Sequence, residues 1–314
     1  MENETGRQMS RKAIDSVRLL RNKEYVMETD YSDLLQELTQ EELNCLQQTL
    51  FAIYQDIELV CKRINVTPFL VGGTALGAVR HGDFIPWDDD LDLAMLREDY
   101  DRFLQEFSRT YPDKYIVNAP GFSGNAKARF AKIIKTGTRC CEIIRNRNEE
   151  LNGAFVDIFP LDHVPENSFV RRVKGLTCDC LSFISAQVYR TEHEDPLSKA
   201  FNRKAGKADY TMRTLIGRLF SFRPASGWYN RLDRCMRCKD ADSGLITSAA
   251  GMKHYFGEII HIDDVLPARE IMFHGSSAMV FRNVGKYLTM LYGDYMIVPP
   301  PEKRWKHFVR ELKL

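Results

Sequence analysis

The densest group of side chains able to do chemistry is a run of acids beside a short apolar strand pattern, namely Asp88, Asp89, Asp90 and Asp92. On a strand, Asp90 and Asp92 project to the same face, because successive side chains alternate. Two carboxylates held there repel each other unless a cation lies between them. Oxygen ligands of this kind suit Mg²⁺ or Mn²⁺. A run of acidic residues often lies only on a solvated surface. This run adjoins the apolar residue Leu91, which favours a metal site. Asp88 is a further candidate ligand of that site.

Asp157 offers a third carboxylate, inside the apolar run Ala154–Phe159. A lone buried carboxylate is unfavourable unless it is paired or bound to a metal. The alternative is that Asp157 marks a turn at the end of a strand. The apolar neighbours favour the first interpretation, so Asp157 is predicted to complete the acid group.

A pair of glycines, Gly72 and Gly73, stands with Thr74 between a short strand pattern and a short helix pattern. Glycines let a ligand approach the backbone, and the N–H groups at a helix start attract phosphate. The pair by itself is weak support for a phosphate site, because a Gly-Gly turn is more often only a turn.

Thr39 and Glu42 form the pattern T-x-x-E, which predicts a capping box at a helix start. Apolar residues then recur at steps of three and four as far as Ile64, which predicts a helix of about six turns with one face in a core. The predicted strands are 68–71, 91–95, 115–117, 129–134 and 154–159, with a hairpin over 269–281. The other predicted helices are 74–81, 97–107, 284–292 with Asn283 as its cap, and 302–312. Strands separated by helices, then a mainly helical stretch, predict an α/β (α+β) fold.

The composition is that of an ordinary globular protein, with 314 residues, 44% hydrophobic and 28% charged. The balance of 44 Lys and Arg against 43 Asp and Glu argues against a dedicated nucleic-acid-binding protein. No stretch approaches the roughly 18 apolar residues that span a bilayer, and Met1–Lys23 has no apolar core like that of a signal peptide. We therefore expect a cytoplasmic protein.

Eight cysteines are scattered through the chain and do not have the spacing of a disulfide framework. Four of them leave a four-thiolate zinc site open as an alternative, and they are Cys178, Cys180, Cys235 and Cys238. The simpler interpretation, reduced and packed thiols, is favoured because C-x-C is less typical of zinc sites than paired C-x-x-C.

The stretch Lys199–Lys239 is basic, with eleven Lys or Arg against Asp209 and Asp233. It also contains an apolar helical stripe, made of Met212, Leu215, Ile216, Leu219 and Phe220. Such a segment is either a helical subdomain with a solvated basic face or a surface that docks on anionic lipid.

Five segments together resemble the LicD family, which includes bacterial phosphorylcholine transferases and is related to fukutin-type ribitol-phosphate transferases. They are Gly72–Gly77, Arg80–Asp92, Arg97–Tyr100, Phe155–Asp162 and the C-terminal set Tyr292–Met296, Pro299, Pro300, Lys303, Arg304 and His307. The resemblance extends over about 40–310, and it is loosest over about 165–250, where we expect substrate choice to lie.

The resemblance implies a nucleotidyltransferase-like mixed sheet flanked by helices, with a mainly helical second part. It divides the chain into an N-terminal arm (1–38), a catalytic core (39–164), a helical acceptor or specificity region (165–250) and a C-terminal segment that folds back on the active site (251–314). It makes Asp90, Asp92 and Asp157 the metal ligands and catalytic acids. The nucleotide and phosphate contacts that it implies are Gly72, Gly73, Thr74, Gly77, Arg80, Arg304 and His307.

The activity implied is Mg²⁺- or Mn²⁺-dependent transfer of phosphocholine or a phosphoalditol from a CDP-linked donor to a sugar hydroxyl of a cell-surface glycan or glycolipid precursor, with release of CMP. We expect such an enzyme to contact the inner face of the membrane through 199–239. One alternative is a nucleotidyltransferase that transfers NMP and releases pyrophosphate. Another is a non-catalytic nucleotide-binding protein.

Overall fold

The computed structural model describes residues 37–124, 126–142, 144, 146–199, 207–238, 243–304 and 309–314. The predicted arm 1–38 therefore lies almost wholly outside the described residues. The helices are α1 (Gln40–Arg63), α2 (Gly72–His81), α3 (Arg97–Thr110), α4 (Ser168–His193), α5 (Lys207–Leu219), α6 (Ala225–Met236), α7 (His254–Gly257), α8 (Ile262–Val265) and α9 (Val284–Tyr292). The strands are β1 (Phe69–Leu70), β2 (Asp92–Leu96), β3 (Tyr115–Asn118), β4 (Ala131–Lys135), β5 (Arg139–Glu142), β6 (Phe155–His163), β7 (Leu245–Thr247), β8 (Ile260–His261), β9 (Arg269–Phe273), β10 (Ser276–Val280) and β11 (Val309–Lys313).

Helix α1 begins with the predicted capping box. The Glu42 N–H donates to Thr39 Oγ1 over 3.2 Å, and the Thr39 N–H donates to Glu42 Oε2 over 2.9 Å. The apolar stripe that follows is buried, with Ile53 and Ile57 fully inaccessible to solvent. It joins the main hydrophobic core, which α1 shares with the central strands.

The main sheet is mixed, as the resemblance implied. Its central path runs β3-β4-β6-β2-β1-β10-β9, and β7 and β8 extend it from β6. Strand β2 pairs with β6 in parallel and with β1 antiparallel, while β4 pairs with β6 antiparallel. Helices pack against this sheet, so the α/β prediction is confirmed. The hairpin prediction is confirmed too, with β9 and β10 joined at His274–Gly275, both at positive φ.

One local prediction is wrong. The described residues of 302–312 do not form a helix, because the chain makes a 3₁₀ turn at Pro301–Lys303 and strand β11 at Val309–Lys313, which pairs antiparallel with β5. The hydrogen bonds offered by the edge of β5 outweigh the helical propensity of this segment. Asn283 occupies the predicted N-cap position of α9, but its side chain makes no capping hydrogen bond and its Nδ2 donates to Asp264 Oδ1 over 2.6 Å.

The helices α4, α5 and α6 form the predicted helical part, and their closest packing is of α4 against α5 and α6. Among the helices of the described segments, none has the length and apolar character needed to cross a membrane. Two of the cysteines meet here, with Cys178 Sγ 3.3 Å from Cys235 Sγ. In the described part of the chain no third cysteine joins them in a metal-ligating group, so the zinc alternative finds no support there.

A buried ion cluster fastens this helical part to the sheet. The Arg97 guanidinium at the start of α3 donates to both carboxylate oxygens of Asp162 on β6, over 2.8 and 2.7 Å. It also donates to Asp233 Oδ1 on α6 over 2.8 Å, and the second oxygen of Asp233 accepts from Arg237 Nε over 2.9 Å. Arg97 is only 8% exposed, so its charge has to be compensated by these carboxylates.

Replacing Arg97 by Met should destabilise the protein by about 3–5 kcal/mol, because two buried carboxylates lose their cation. The matched control is Arg102→Met on the same helix, whose side chain is 56% exposed beside Asp99 and whose loss should cost less than about 1 kcal/mol. Urea unfolding followed by circular dichroism measures both. Equal losses for the two variants would contradict a fastening role for Arg97.

Candidate active site

Three adjacent strands place three ionisable side chains next to one another. Asp92 on β2 is the register partner of Asp157 on β6, and Asp157 is the register partner of Lys132 on β4. Register partners project to the same face of a sheet. Lys132 Nζ lies 3.3 Å from Asp157 Oδ1 and 3.4 Å from its Oδ2.

The remaining acids lie in the segment that enters β2. Asp88, Asp89 and Asp90 are half-buried, and their carboxylate oxygens come within 4.8 Å of one another. Asp90 is also close enough to raise the pKa of both Asp92 and Asp157. The structure therefore brings together all the acids to which the sequence assigns a role.

The crowding of these carboxylates raises the pKa values of Asp92 and Asp157. Burial raises the pKa of Asp92 well above its usual range, and the charges of Asp90 and Asp157 raise it further. Burial raises the pKa of Asp157 to about 7, even though Lys132 acts in the opposite direction. Desolvated carboxylates that repel one another in this way form a site that attracts cations.

The donor set fits a hard divalent cation. Asp157 Oδ1 is buried and accepts no hydrogen bond from the described residues, although Lys132 Nζ is within ion-pair distance. An unfilled lone pair on a buried carboxylate oxygen, next to further carboxylates, is the coordination chemistry that Mg²⁺ and Mn²⁺ prefer.

The first turn of α2 approaches the acids because it begins with two glycines. Gly72 has φ of 55°, and its N–H donates to Tyr287 Oη on α9 over 3.1 Å. A Cβ on Gly72 would lie 2.9 Å from Asp92 Oδ2, and one on Gly73 would lie 2.7 Å from Asp88 Oδ2. Any side chain at either position would therefore push the acids away from the helix start.

Thr74 and Gly77 occupy structural positions within α2. The Thr74 hydroxyl is buried and accepts the Asp92 N–H over 2.8 Å, which fixes the start of β2 beside the helix. A Cβ on Gly77 would lie 2.6 Å from the carbonyl oxygen of Asp83, so this glycine allows α2 to pack on the loop that follows it. A phosphate contact from either residue stays a prediction.

Residues near the C-terminus pack against the same region. Arg80 Nη1 donates to the Tyr295 carbonyl over 2.9 Å, and the Arg304 guanidinium lies 4.1 Å from the centre of the Trp87 ring. Tyr292 and Asp92 line one cleft. His307, the other predicted contact from this segment, lies outside the described residues.

Two clefts open beside the acids. The first, of about 550 Å³ and partly open to solvent, is lined by Asp92, by apolar residues of β2 and β6, and by α9. The second, of about 520 Å³, is lined by Asp89, Asp90, Asp157 and Glu142. The carboxylates thus stand between two spaces that substrate groups can enter.

Sequence reasoning missed Lys132 and Glu258. Lys132 carried a detectable signal, since it alternates with apolar residues in the strand pattern A-K-I-I-K. Glu258 carried none, because it precedes a two-residue strand far along the chain and reaches the first cleft only through the tertiary fold.

Comparison with known proteins agrees with this site. The family model for the LicD/FKTN/FKRP nucleotidyltransferase domain matches residues 65–200, which contain the acids and the glycine turn. The lipopolysaccharide cholinephosphotransferase LicD of Haemophilus influenzae is 27% identical over 291 residues, which cover 87% of this chain and 97% of that protein. Residues 65–200 of the chain thus match a LicD-family nucleotidyltransferase domain.

Shorter matches reach a second branch of the LicD family. The ribitol 5-phosphate transferase FKRP of Homo sapiens and that of Mus musculus are each 52% identical over 40 residues, or 13% of this chain and 8% of the relative. The names of these relatives carry different phosphate substituents, so the similarity leaves the transferred group open.

The crowded acids predict a pH-dependent stability in protein freed of divalent ions by a chelator. Asp157 loses its proton near pH 3.8 when unfolded and near 7 when folded, so the folded state binds more protons between these values. Its contribution to stability should fall as pH rises through that window, by an amount on the order of a few kcal/mol. Asp157→Asn should flatten the fall.

Urea unfolding at several pH values between 5 and 8 gives the free energy of unfolding of wild type and of Asp157→Asn. The difference between the two isolates the effect of Asp157, because the contributions of the other titrating groups cancel. Asp113→Asn, at an exposed position before β3, is the matched control and should follow wild type. Millimolar Mn²⁺ at pH 8 should restore stability to wild type more than to Asp157→Asn. Parallel curves for wild type and Asp157→Asn would argue against the assigned crowding.

Proposed function

We propose that this protein transfers phosphocholine from CDP-choline to a sugar hydroxyl of a glycan or glycolipid and releases CMP. Enzymatic transfer of a substituted phosphate group is supported by the LicD-family domain match and by the similarity to the LicD cholinephosphotransferase. The choice of phosphocholine is supported by the LicD cholinephosphotransferase, which aligns along 97% of its length. The single observation that carries the proposal is the alignment of Asp92, Asp157 and Lys132 across three strands.

Asp90, Asp92 and Asp157 would hold the divalent ion, with Asp88 as a further ligand. Mg²⁺ or Mn²⁺ bound there would neutralise charge on the donor diphosphate. The first turn of α2, next to Asp88 and Asp92, supplies backbone N–H groups that favour phosphate. Arg80 and Arg304 are the proposed cationic contacts from outside the sheet.

Asp157 is suited to act at the attacking hydroxyl, and Lys132 is suited to act at the transferred phosphate. Oδ1 of Asp157 accepts no hydrogen bond from the described residues, so it is available to a divalent ion that would lower the cost of deprotonating the attacking hydroxyl. Burial lowers the pKa of Lys132, but the charges of Asp157, Glu142 and Asp92 together outweigh burial, so Lys132 keeps its charge. Its ammonium can donate to an oxygen of the transferred phosphate.

In the proposed reaction the acceptor oxygen forms a bond to the phosphorus that carries choline. The bond from that phosphorus to the oxygen of CMP breaks, and the electron pair leaves with CMP. The hydroxyl proton is released to solvent as the acceptor oxygen attacks, and the divalent ion that Asp157 would help to hold would lower the cost of this deprotonation. Most of the acceleration in such transfers comes from positioning and electrostatics, which a rigid sheet provides.

The nucleotidyltransferase alternative uses the same acids but leaves NMP on the acceptor and releases pyrophosphate. Mass spectrometry of the acceptor separates the two reactions, because the added group is either phosphocholine or CMP. Release of neither CMP nor pyrophosphate across a panel of nucleotide donors would favour a non-catalytic nucleotide-binding protein.

Asp92→Asn should lower CMP release from CDP-choline by at least about a thousandfold, because loss of one metal-clamping carboxylate costs several kcal/mol of transition-state stabilisation. Asp113→Asn serves again as the control and should keep wild-type turnover. Circular dichroism and thermal unfolding establish that both variants are folded. Near-normal turnover by folded Asp92→Asn would refute the role given to this residue.

We also propose that the enzyme works at the inner face of the membrane and docks there on anionic lipid through the region of α5. Four apolar side chains of this region are each more than half exposed, and they are Met212, Leu215, Leu219 and Phe222. Arg218 is exposed beside them, whereas Arg213 is paired with Asp209 over 2.7 Å. Exposed apolar side chains next to an exposed cation are typical of interfacial helices.

The double variant Leu215→Asn, Leu219→Asn should reduce co-sedimentation with phosphatidylglycerol vesicles at least about fivefold, because the buried apolar area is lost. High salt should release the wild type, since it screens the attraction of the cations. The matched control is Leu59→Asn, which removes a leucine that is 60% exposed on α1. An equal loss in the control, or no binding by wild type, would contradict docking through α5.

A further inference from the structure

The first cleft has a composition that the transfer of phosphate does not explain. Its walls are mostly apolar or aromatic, and Asp92 also lines it. A phosphate group calls for donors and cations, as the first turn of α2 and Lys132 provide. An apolar space beside an acid of the proposed metal site is suited to a group attached to the phosphate.

One charged side chain interrupts these apolar walls. Glu258 lines the cleft and is only 5% exposed. Its Oε1 accepts the Lys253 N–H over 2.8 Å, and within the described part of the chain no cationic side chain lies at ion-pair distance from it. Burial raises the pKa of Glu258 to about 7, although the N–H groups of Lys253 and Met252 and the charge of Lys253 act in the opposite direction.

Two tyrosines of α9 line the same cleft as Glu258 and Asp92. Burial raises the pKa of Tyr287 and of Tyr292, and the charges of Glu258 and Asp92 raise both further. Tyr287 is 7% exposed and forms the wall of the cleft, whereas Tyr292 is 37% exposed and stands nearer solvent. Phe159 and Phe281 add aromatic surface to the same cleft.

We propose that this cleft is the subsite for the trimethylammonium group of the transferred phosphocholine, with Glu258 as its counter-ion and Tyr287 and Tyr292 as its aromatic walls. The proposal rests on the proposed function, because it concerns the group attached to the phosphate held at Asp92. A quaternary ammonium has no N–H to donate, so aromatic faces and one desolvated carboxylate are the protein groups that recognise it best.

Two other occupants of the cleft have to be considered. An alditol chain would need several hydrogen-bonding side chains, and the cleft offers mainly apolar walls besides Glu258. The cytosine base could donate its amino group to Glu258, and this is the competing assignment that the experiment has to separate. The test therefore measures binding of each fragment of the donor by itself.

Isothermal titration in the presence of Mn²⁺ would give the affinities of phosphocholine, ribitol 5-phosphate and CMP for wild type and for Glu258→Gln. The amide keeps an oxygen for the Lys253 N–H, so the fold around it should persist. We expect phosphocholine to bind Glu258→Gln at least about tenfold more weakly than wild type, with ribitol 5-phosphate and CMP changed less than about twofold. Glu41→Gln, an exposed glutamate in the first turn of α1, is the matched control.

A second pair of variants tests the aromatic wall without touching the carboxylate. Tyr292→Leu should weaken phosphocholine binding several-fold more than Tyr292→Phe, because only the leucine lacks a ring face. Weakened CMP binding in Glu258→Gln would assign the cleft to the base and overturn the proposal. Unchanged phosphocholine binding in both Glu258→Gln and Tyr292→Leu would overturn it as well.

The failure of this inference is distinguishable from failure of the proposed function. If wild type releases CMP from CDP-choline but Glu258→Gln has an unchanged KM for that donor, the subsite is wrong and the reaction stands. If wild type releases no CMP from CDP-choline yet binds phosphocholine through Glu258, the subsite stands and the reaction is wrong.

Discussion

The mutual repulsion of carboxylates at the start of β2 and β6 is the constraint on which the rest of the site depends. Parallel pairing makes Asp92 and Asp157 direct neighbours, and the loop before β2 adds further acids to them. Such a group is stable only if its surroundings hold it in place and a cation compensates part of its charge. Lys132 supplies one positive charge, and the remaining excess of negative charge is what suits the site to a divalent ion.

The elements around the acids hold them at short range. The glycines at the start of α2 bring a helix N-terminus within contact of Asp88 and Asp92, and the Thr74 hydroxyl holds the Asp92 backbone. On the far side, Arg97 links the end of β6 to α6 through two buried carboxylates. Because the same strand carries Asp157 at its start and Asp162 near its end, the helical part is fixed directly to the strand that bears the site.

Two clefts meet at one group of acids. The proposed reaction brings choline, CMP and the acceptor hydroxyl together at one phosphorus, and the two clefts offer space for such groups. The second cleft is bordered by further acids, including Asp89 and Glu142, whereas the first is apolar around the single carboxylate of Glu258. This difference in lining gives the protein a means to distinguish substituents on the phosphate, which is the property in which the named relatives of the family differ.

The sequence by itself determined the elements and the chemistry that lie close together along the chain. The capping box of α1, the strand with Asp92 and the strand with Asp157 follow from local patterns, because helix starts and buried strands depend on neighbouring residues. Only the tertiary structure decided which strands are adjacent, and with that the pairing of Asp157 with Lys132, since register depends on partners distant in sequence. It also turned 309–313 into a strand by offering the edge of β5, and it carried Glu258 into a cleft beside acids more than 160 positions earlier in the chain.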